Sequence, residues 1–333
     1  MKKLALSLIL ALLLTALSGC VQPGTQPKPS EPAGTTPTGA APAAPETDDE
    51  VHPMLFHVTG PEGQEGWLFG TIHVGDQRID TALEKLKPVL NGCDALAVEF
   101  DVVAYEKDYG AQLRAMGNFL LRDGTKISDH MPAETYEKAA ALLREAGLSS
   151  MLTDSYNLAM WSQLVAQAAI LTRTDYDMGI SMDRSLIRYC YEKKIEVRDV
   201  ESAEFQYALL ARFSDELNLL LIDSTLDGLD TYGAGVDALY GAWLSGDYDR
   251  IVGVLNEESG GSDDLTEEQA ALLEDYYDQM LARRNLGMRD KAVAWLEAGD
   301  KVFFAVGAAH LVDEGGLVEL LRAGGYTVEQ IAY

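Results

Sequence analysis

At 333 residues the chain is long enough to bury one large core or two modest ones. Hydrophobic residues make up 47% and charged residues 24%, ordinary for a globular protein, and 53 acidic against 26 basic side chains leave a net charge of −27. Such a chain has no basic stripe with which to neutralise phosphates, which argues against nucleic-acid binding and against attraction to anionic membranes; solubility is the plain reason for the acidity.

Residues 1–20 read as a targeting segment. Lys2 and Lys3 precede an apolar run, residues 4–17, that is too short to span a membrane comfortably, and the run ends in Leu17-Ser18-Gly19-Cys20. Small residues before a cysteine resemble the lipobox of bacterial lipoproteins, which would make Cys20 the lipidated first residue of the mature chain. The lipid would then be the only hold on the membrane. Residues 21–50 are rich in Pro, Gly, Thr, Ala and Gln, with no large apolar residue after Val21, and are expected to be a disordered extracytoplasmic linker. Cys93 and Cys190 have no patterned spacing, so the sequence leaves open whether they pair.

Residues 51–333 are the expected globular part. Residues 54–59 and 67–74 read as strands around the turn signal Gly60-Pro61-Glu62-Gly63. The second strand runs Trp67-Leu68-Phe69-Gly70-Thr71-Ile72-His73-Val74-Gly75-Asp76. Glycine permits positive φ and close backbone approach, so a sharp turn at Gly70 is expected to present His73 at the strand's rim. Residues 81–87 read as a short helix broken by Pro88, ahead of the stop signal Asn91-Gly92. Residues 95–100 form a buried strand that is apolar except for Glu99.

From about residue 105 to 171 the pattern is helical: Pro132 stands where a helix can begin, Ala139, Leu142 and Leu143 mark one face, and Gly147 ends it. Residues 157–171 read as a long apolar helix and 183–194 as another, leading to a strand at 195–200 that ends at Glu201. Residues 203–221 and 237–255 are again helical, and 256–264 is a polar, Gly/Ser-rich break. Ala270, Leu273, Tyr277, Met280 and Leu281 then keep helical spacing towards Arg283-Arg284-Asn285, and a helix over 291–298 is closed by Gly299-Asp300.

The earlier phrase now returns as Phe303-Phe304-Ala305-Val306-Gly307-Ala308-Ala309-His310-Leu311-Val312-Asp313, followed by a helix, the stop Gly324-Gly325 and a last strand over 326–331. Aligned on their histidines, the copies share the apolar strand, the glycine three residues before, an aliphatic residue directly after and the aspartate three residues on. The chain has five histidines, and two of them carry this GxxH context. The expected fold class is therefore α/β, a single sheet built from two similar strand–GxxH–helix–strand halves, with a helical insertion over about 105–290.

If the two halves share one sheet, His73 and His310 leave equivalent strand ends, where open α/β sheets bind ligands. Imidazole combined with a carboxylate suits a divalent transition metal such as Mn, Co, Fe or Zn, and Glu99 is the third candidate, as ligand or general base. Such a set leaves positions open for water, an arrangement for metal-assisted hydrolysis. Plainer readings stand beside this one: strand-end histidines often cap or fill a core, and Glu99 is also suited to pair with Arg284. Glu201 is a further acid at a strand end. His52, His57 and His130 lack the glycine context. No P-loop, GxGxxG, HExxH, CxxC or GxSxG motif occurs, so nucleotide, zincin and serine-hydrolase chemistry lack their usual sequence support.

The chain resembles the TraB/PrgY/GumN family, itself similar to the Tiki metalloproteases. The resemblance rests on Leu68-Phe69-Gly70-Thr71-Ile72-His73, Val98-Glu99, Met178-Gly179-Ile180, Val200-Glu201 followed by Gln206, Arg284-Asn285, and Val306-Gly307-Ala308-Ala309-His310-Leu311 with Gly324-Gly325-Tyr326. These cover nearly all of residues 54–333. In the family Gly-Ile is usually followed by Asp; here Ser181 follows, with Asp183 two further on, and that position is left out of the candidate site. The resemblance implies an α/β fold and, for the Tiki branch, divalent-metal-dependent cleavage of a peptide or protein substrate. The expected roles are His73, His310 and Glu99 as metal ligands, and Arg284 with Asn285 as groups that position substrate or stabilise an oxyanion. PrgY-like members imply the alternative, a lipoprotein that binds a peptide or pheromone without cleaving it.

Overall fold

Apolar runs supply the four inner strands of one mixed sheet and more polar segments its two edges: β1 (Leu55–Thr59), β2 (Glu65–Thr71), β3 (Ala95–Val98), β4 (Glu196–Asp199), β5 (Val302–Gly307) and β6 (Thr327–Gln330). The computed structural model describes residues 51–149, 153–259 and 265–333, without the side chains of 256–259; the expected leader with Cys20 and the linker 21–50 lie outside the described residues. The six strands are ordered β4-β3-β5-β2-β1-β6. The first four in that order run parallel, whereas β1 is antiparallel to both β2 and β6. Every residue of β3 and β5 is buried, as the continuous apolar runs of central parallel strands require, and the edge strands β4 and β6 are largely exposed.

The two GxxH strands, β2 and β5, are neighbours. Gly70 pairs with Val306 and Thr71 with Gly307, so the motif glycines stand one residue out of step across the ladder. Beyond them the units diverge. β2 leads through the helix Arg78–Leu90 to β3, inside the sheet, whereas β5 leads through the helix Leu317–Ala323 to β6, at its far edge. The span from about 105 to 290 is helical apart from β4, which it contributes to the sheet.

Several boundaries differ from expectation for identifiable reasons. Pro88 lies inside the helix Arg78–Leu90 and does not break it. Its ring costs the Glu84 carbonyl its donor, but both residues are exposed, so water can satisfy that carbonyl. The expected helix over 203–221 is two, Ala203–Ala211 and Asp215–Asp227, because Ser214 caps the second by accepting from the Leu217 N–H. Residues 237–255 likewise divide at Gly246, whose φ of 62° ends the helix Leu229–Ser245. Cys93 and Cys190 are free thiols. Among the described residues no helix is long and apolar enough to cross a membrane.

Candidate functional site

The carboxyl ends of the four parallel strands lie side by side, and each delivers a polar residue. In sheet order these are Glu201 after β4, Glu99 after β3, His310 after β5 and His73 after β2. Parallel pairing continues past the β3 and β4 ends, since the Glu201 N–H donates to the Glu99 carbonyl at 2.7 Å. His73 is 5% exposed, Glu99 6% and His310 0%.

Neither motif glycine adopts positive φ, contrary to the expected sharp turn. What both positions need is the absence of a side chain. A Cβ on Gly70 would stand 3.0 Å from the Cα of Ala308, in the other motif. One on Gly307 would stand 3.3 Å from Glu99 Oε1, 3.7 Å from His73 Nε2 and 3.7 Å from the His310 ring. The space above Gly307 is thus bounded by all three candidate ligands, and the two rings lie within twice that distance of one another.

Each ring is held by its other nitrogen. His73 Nδ1–H donates to Asp183 Oδ2 at 2.8 Å, and the Thr71 hydroxyl donates to Asp183 Oδ1 at 2.8 Å. A carboxylate only accepts, so Nδ1 carries a proton and, in the neutral ring, the lone pair is on Nε2. His310 Nδ1–H donates to Asn285 Oδ1 at 2.6 Å, while Asn285 Nδ2 donates to the Gly315 carbonyl at 2.8 Å and so fixes which end of the amide faces the ring. Among the described residues, His310 Nε2 is then a buried acceptor without a hydrogen-bond partner. Glu99 Oε1 is 3.8 Å away, too far for a hydrogen bond.

Glu99 divides its oxygens. Oε2 accepts from Arg284 at 2.7 Å and from the Gln206 amide at 2.8 Å; among the described residues Oε1 accepts only the Gly307 N–H, at 2.9 Å. Arg284 also forks onto Glu201, with Nε 2.9 Å from Oε1 and a terminal nitrogen 2.7 Å from Oε2, and donates to the Met280 carbonyl. Gln206 bridges Glu99 and Glu201 with one amide nitrogen. Arg284 and Asn285 begin the helix Arg283–Glu297, directly after a π-helical segment, Asp278–Ala282, of the kind common near functional sites.

The electrostatics follow from these contacts. Burial by itself would raise the Glu99 carboxyl, but Arg284, with the two histidines and the Gly307 N–H, outweighs it and holds Glu99 well below the usual carboxylate range. Burial would lower the His73 ring, but the Asp183 carboxylate beside it prevails and keeps it above its ordinary value. His310 has no such carboxylate, and burial with the nearby Arg284 pushes it down to about 3. The ring is therefore neutral, and its 3.8 Å approach to Glu99 is not an ion pair.

Among the described residues no three His, Cys, Asp or Glu side chains are already drawn together as a finished metal-binding group. The spacing is wider than a closed cage, but orientation and chemistry do fit an ion. His73 Nε2, one carboxylate oxygen of Glu99 and an edge of the His310 ring border the same space, and the remaining polar atoms of these side chains are held by the neighbours that commonly brace metal ligands. The carboxylates of Glu99, Glu201 and Asp183 outnumber the single guanidinium of Arg284, an imbalance that a divalent cation would offset.

The structure brings together His73, His310, Glu99, Glu201, Arg284 and Asn285, all named from the sequence. It also places Asp183, which the sequence reading leaves out of the candidate site, directly against His73. Gln206 was noted only as part of a resemblance and sits between the two glutamates. The signal for both was position: Asp183 shares a helix face with Leu186, Ile187 and Cys190, and Gln206 one with Ala203, Tyr207 and Leu210, all buried. The aspartates shared by the motifs lie elsewhere. Asp76 binds Arg78 and Tyr240, and the Asp313 N–H donates to the Tyr248 hydroxyl. His52, His57 and His130 contact Tyr333, Trp67 and Thr125, respectively. A surface cavity of about 490 Å³, lined by Tyr248, Asp313 and Glu314 among others, contains none of the candidate ligands.

A family model described as the TraB/PrgY/gumN family matches residues 54–330. No curated protein and no solved structure matches the chain.

Proposed function

Because this chain belongs to the TraB/PrgY/gumN family, we propose that the strand ends form a divalent-metal site that hydrolyses a peptide bond. One observation carries this reading: His73 Nε2 and Glu99 Oε1 border the cleared space above Gly307 together with the Cδ2 edge of the His310 ring, His310 Nε2 lies 3.8 Å from Glu99 Oε1, and the atoms behind them are already hydrogen-bonded. In this reading the two strand–GxxH–helix–strand halves each give one imidazole, and Glu99 gives the carboxylate between them. A bound divalent ion supplies Lewis acidity, polarising a carbonyl and acidifying water.

The roles expected from sequence shift in this reading. A carboxylate held so far below its ordinary range is a poor general base, so Glu99 is assigned as a ligand through Oε1. Arg284 has its guanidinium engaged with Glu99, Glu201 and Met280, and Asn285 has both ends of its amide engaged. In this reading they serve to hold Glu99 and His310 in place rather than to stabilise an oxyanion.

The test is metal dependence. The purified chain should hold close to one equivalent of Mn, Co, Fe or Zn, lose peptide cleavage on chelation and recover it when the ion is restored. A preparation that binds no divalent ion and cleaves no peptide would remove the reading. Capture of a peptide without cleavage is the second reading, and the burial of His73, Glu99 and His310 favours it, since a substrate could reach them only if the site opened. Peptide binding that survives chelation, with no cleavage, would decide for capture.

We further propose that the protein is a lipoprotein held outside the cytoplasm by acylated Cys20. A Cys20→Ala variant should be released from membranes or remain unprocessed. Normal processing with membrane retention would refute the anchor.

A further inference from the structure

We infer that Asp183 is the positioning residue of this site: together with Thr71 it fixes the ring of His73 and the side of the ring that carries the proton, so that the Nε2 lone pair is aimed at the space above Gly307. The inference rests on the metal-site reading for its purpose, but not for its geometry.

Asp183 lies in the first turn of the helix Met182–Lys193, where the helix's exposed N–H groups favour a negative charge. Two backbone contacts hold that turn over the first GxxH strand. The Met182 N–H donates to the Ile72 carbonyl at 3.1 Å, and Gly75 and Asp177 form a bridge in which each N–H donates to the other's carbonyl. The carboxylate is 5% exposed and uses both oxygens, one for the Thr71 hydroxyl and one for His73. Thr71, Ile72 and His73 are thus tied to the same turn by three hydrogen bonds.

The chemistry of the partner decides the tautomer. A carboxylate has no proton to give, so His73 must donate from Nδ1, and the neutral ring then leaves Nε2 as an acceptor. An amide in its place could turn over and donate to Nδ1, which would move the ring proton to Nε2 and block the lone pair. At His310 an amide suffices because Asn285 Nδ2 is occupied by the Gly315 carbonyl, which leaves only its oxygen for the ring. No described hydrogen bond would fix an amide at position 183 in that way. The two histidines are therefore oriented by different means, and only the arrangement at His73 requires a charge.

The experiment compares the full chain with Asp183→Asn, using ring ¹⁵N chemical shifts of His73 in alkaline solution, calorimetric titration with Mn²⁺ alone, and thermal melting. The expected result is a wild-type His73 protonated at Nδ1, a shift towards the Nε2-protonated form in Asp183→Asn, and Mn²⁺ affinity lower by about 10–100-fold. A wild-type His73 protonated at Nε2 would overturn the inference, and this observation needs no variant to fold. An Asp183→Asn chain with unchanged ring shifts and unchanged affinity would also overturn it, even if its melting temperature fell, because a merely structural residue would behave in that way. If wild type binds no Mn²⁺ but the ring shifts change as expected, the positioning role stands and the metal-site reading falls.

Discussion

Glu99→Gln is expected to lower peptide hydrolysis by at least about 10²-fold and to reduce bound metal in step, a loss no smaller than that seen when a group merely bracing a metal ligand is changed. The geometry explains why an isosteric change should be so costly. The glutamine oxygen would stay with Arg284 and Gln206, two donors that require an acceptor, which turns the amide NH₂ towards the Gly307 N–H and the space between the histidines. A donor then stands where the carboxylate offered its ligand oxygen. The fold should survive with a loss of about 1–3 kcal/mol, the usual cost of an unsatisfied buried polar group, because Arg284 keeps its fork onto Glu201. Metal analysis and a cleavage assay on the variant decide the matter. Full activity with full metal content would take Glu99 out of the site.

Arg284→Met should produce the larger loss of stability. Arg284 is 4% exposed, and its guanidinium lies between two carboxylates with charge-assisted bonds to both. Removing it leaves the buried Glu99 beside the half-buried Glu201, with Gln206 and a backbone N–H as their remaining described donors. Breaking a buried pair from one side costs about 3–5 kcal/mol, and two like charges then face each other. Chemical denaturation of the metal-free chain measures this loss. Combining Arg284→Met with Glu99→Gln should restore part of it, since one of the uncompensated charges is gone. A cost below about 1 kcal/mol, or a double variant less stable than Arg284→Met alone, would mean that the cluster is not held by charge balance.

Both predictions depend on contacts between residues far apart in the chain, and the sequence carried some of that information. Glu99 stood out as a single acid in an apolar strand, because an unpaired charge there has no stable burial. Arg284 was named beside it as a partner, and the two are 185 positions apart along the chain. The capping role of Ser214 and the left-handed end at Gly246 were overlooked, although both residue types commonly mark such boundaries. Pro88 was over-read, because a proline near a helix end is tolerated when the carbonyl it deprives faces water.

What the sequence determined by itself was local in origin. Apolar runs fixed where strands form, because an extended segment that is apolar on both faces must be buried, and β3 and β5 are. The repeated GxxH phrase fixed which histidines stand at strand ends. What only the tertiary structure decided was partnership. The sheet order β4-β3-β5-β2 sets Glu201, Glu99, His310 and His73 in a row, and nothing local encodes an order created by crossovers between distant segments. The same holds for Asp183, 110 positions from His73: its neighbours read as an ordinary helix start, and it becomes part of the site because the backbone ties at Ile72 and Gly75 bring that helix end over the strand. The role of each glycine was also tertiary. Glycine's conformational freedom suggested a turn at Gly70, and the repeated phrase set Gly307 beside it, but only the packed molecule has an Ala308 backbone that would collide with one Cβ and a set of candidate ligands that would meet the other.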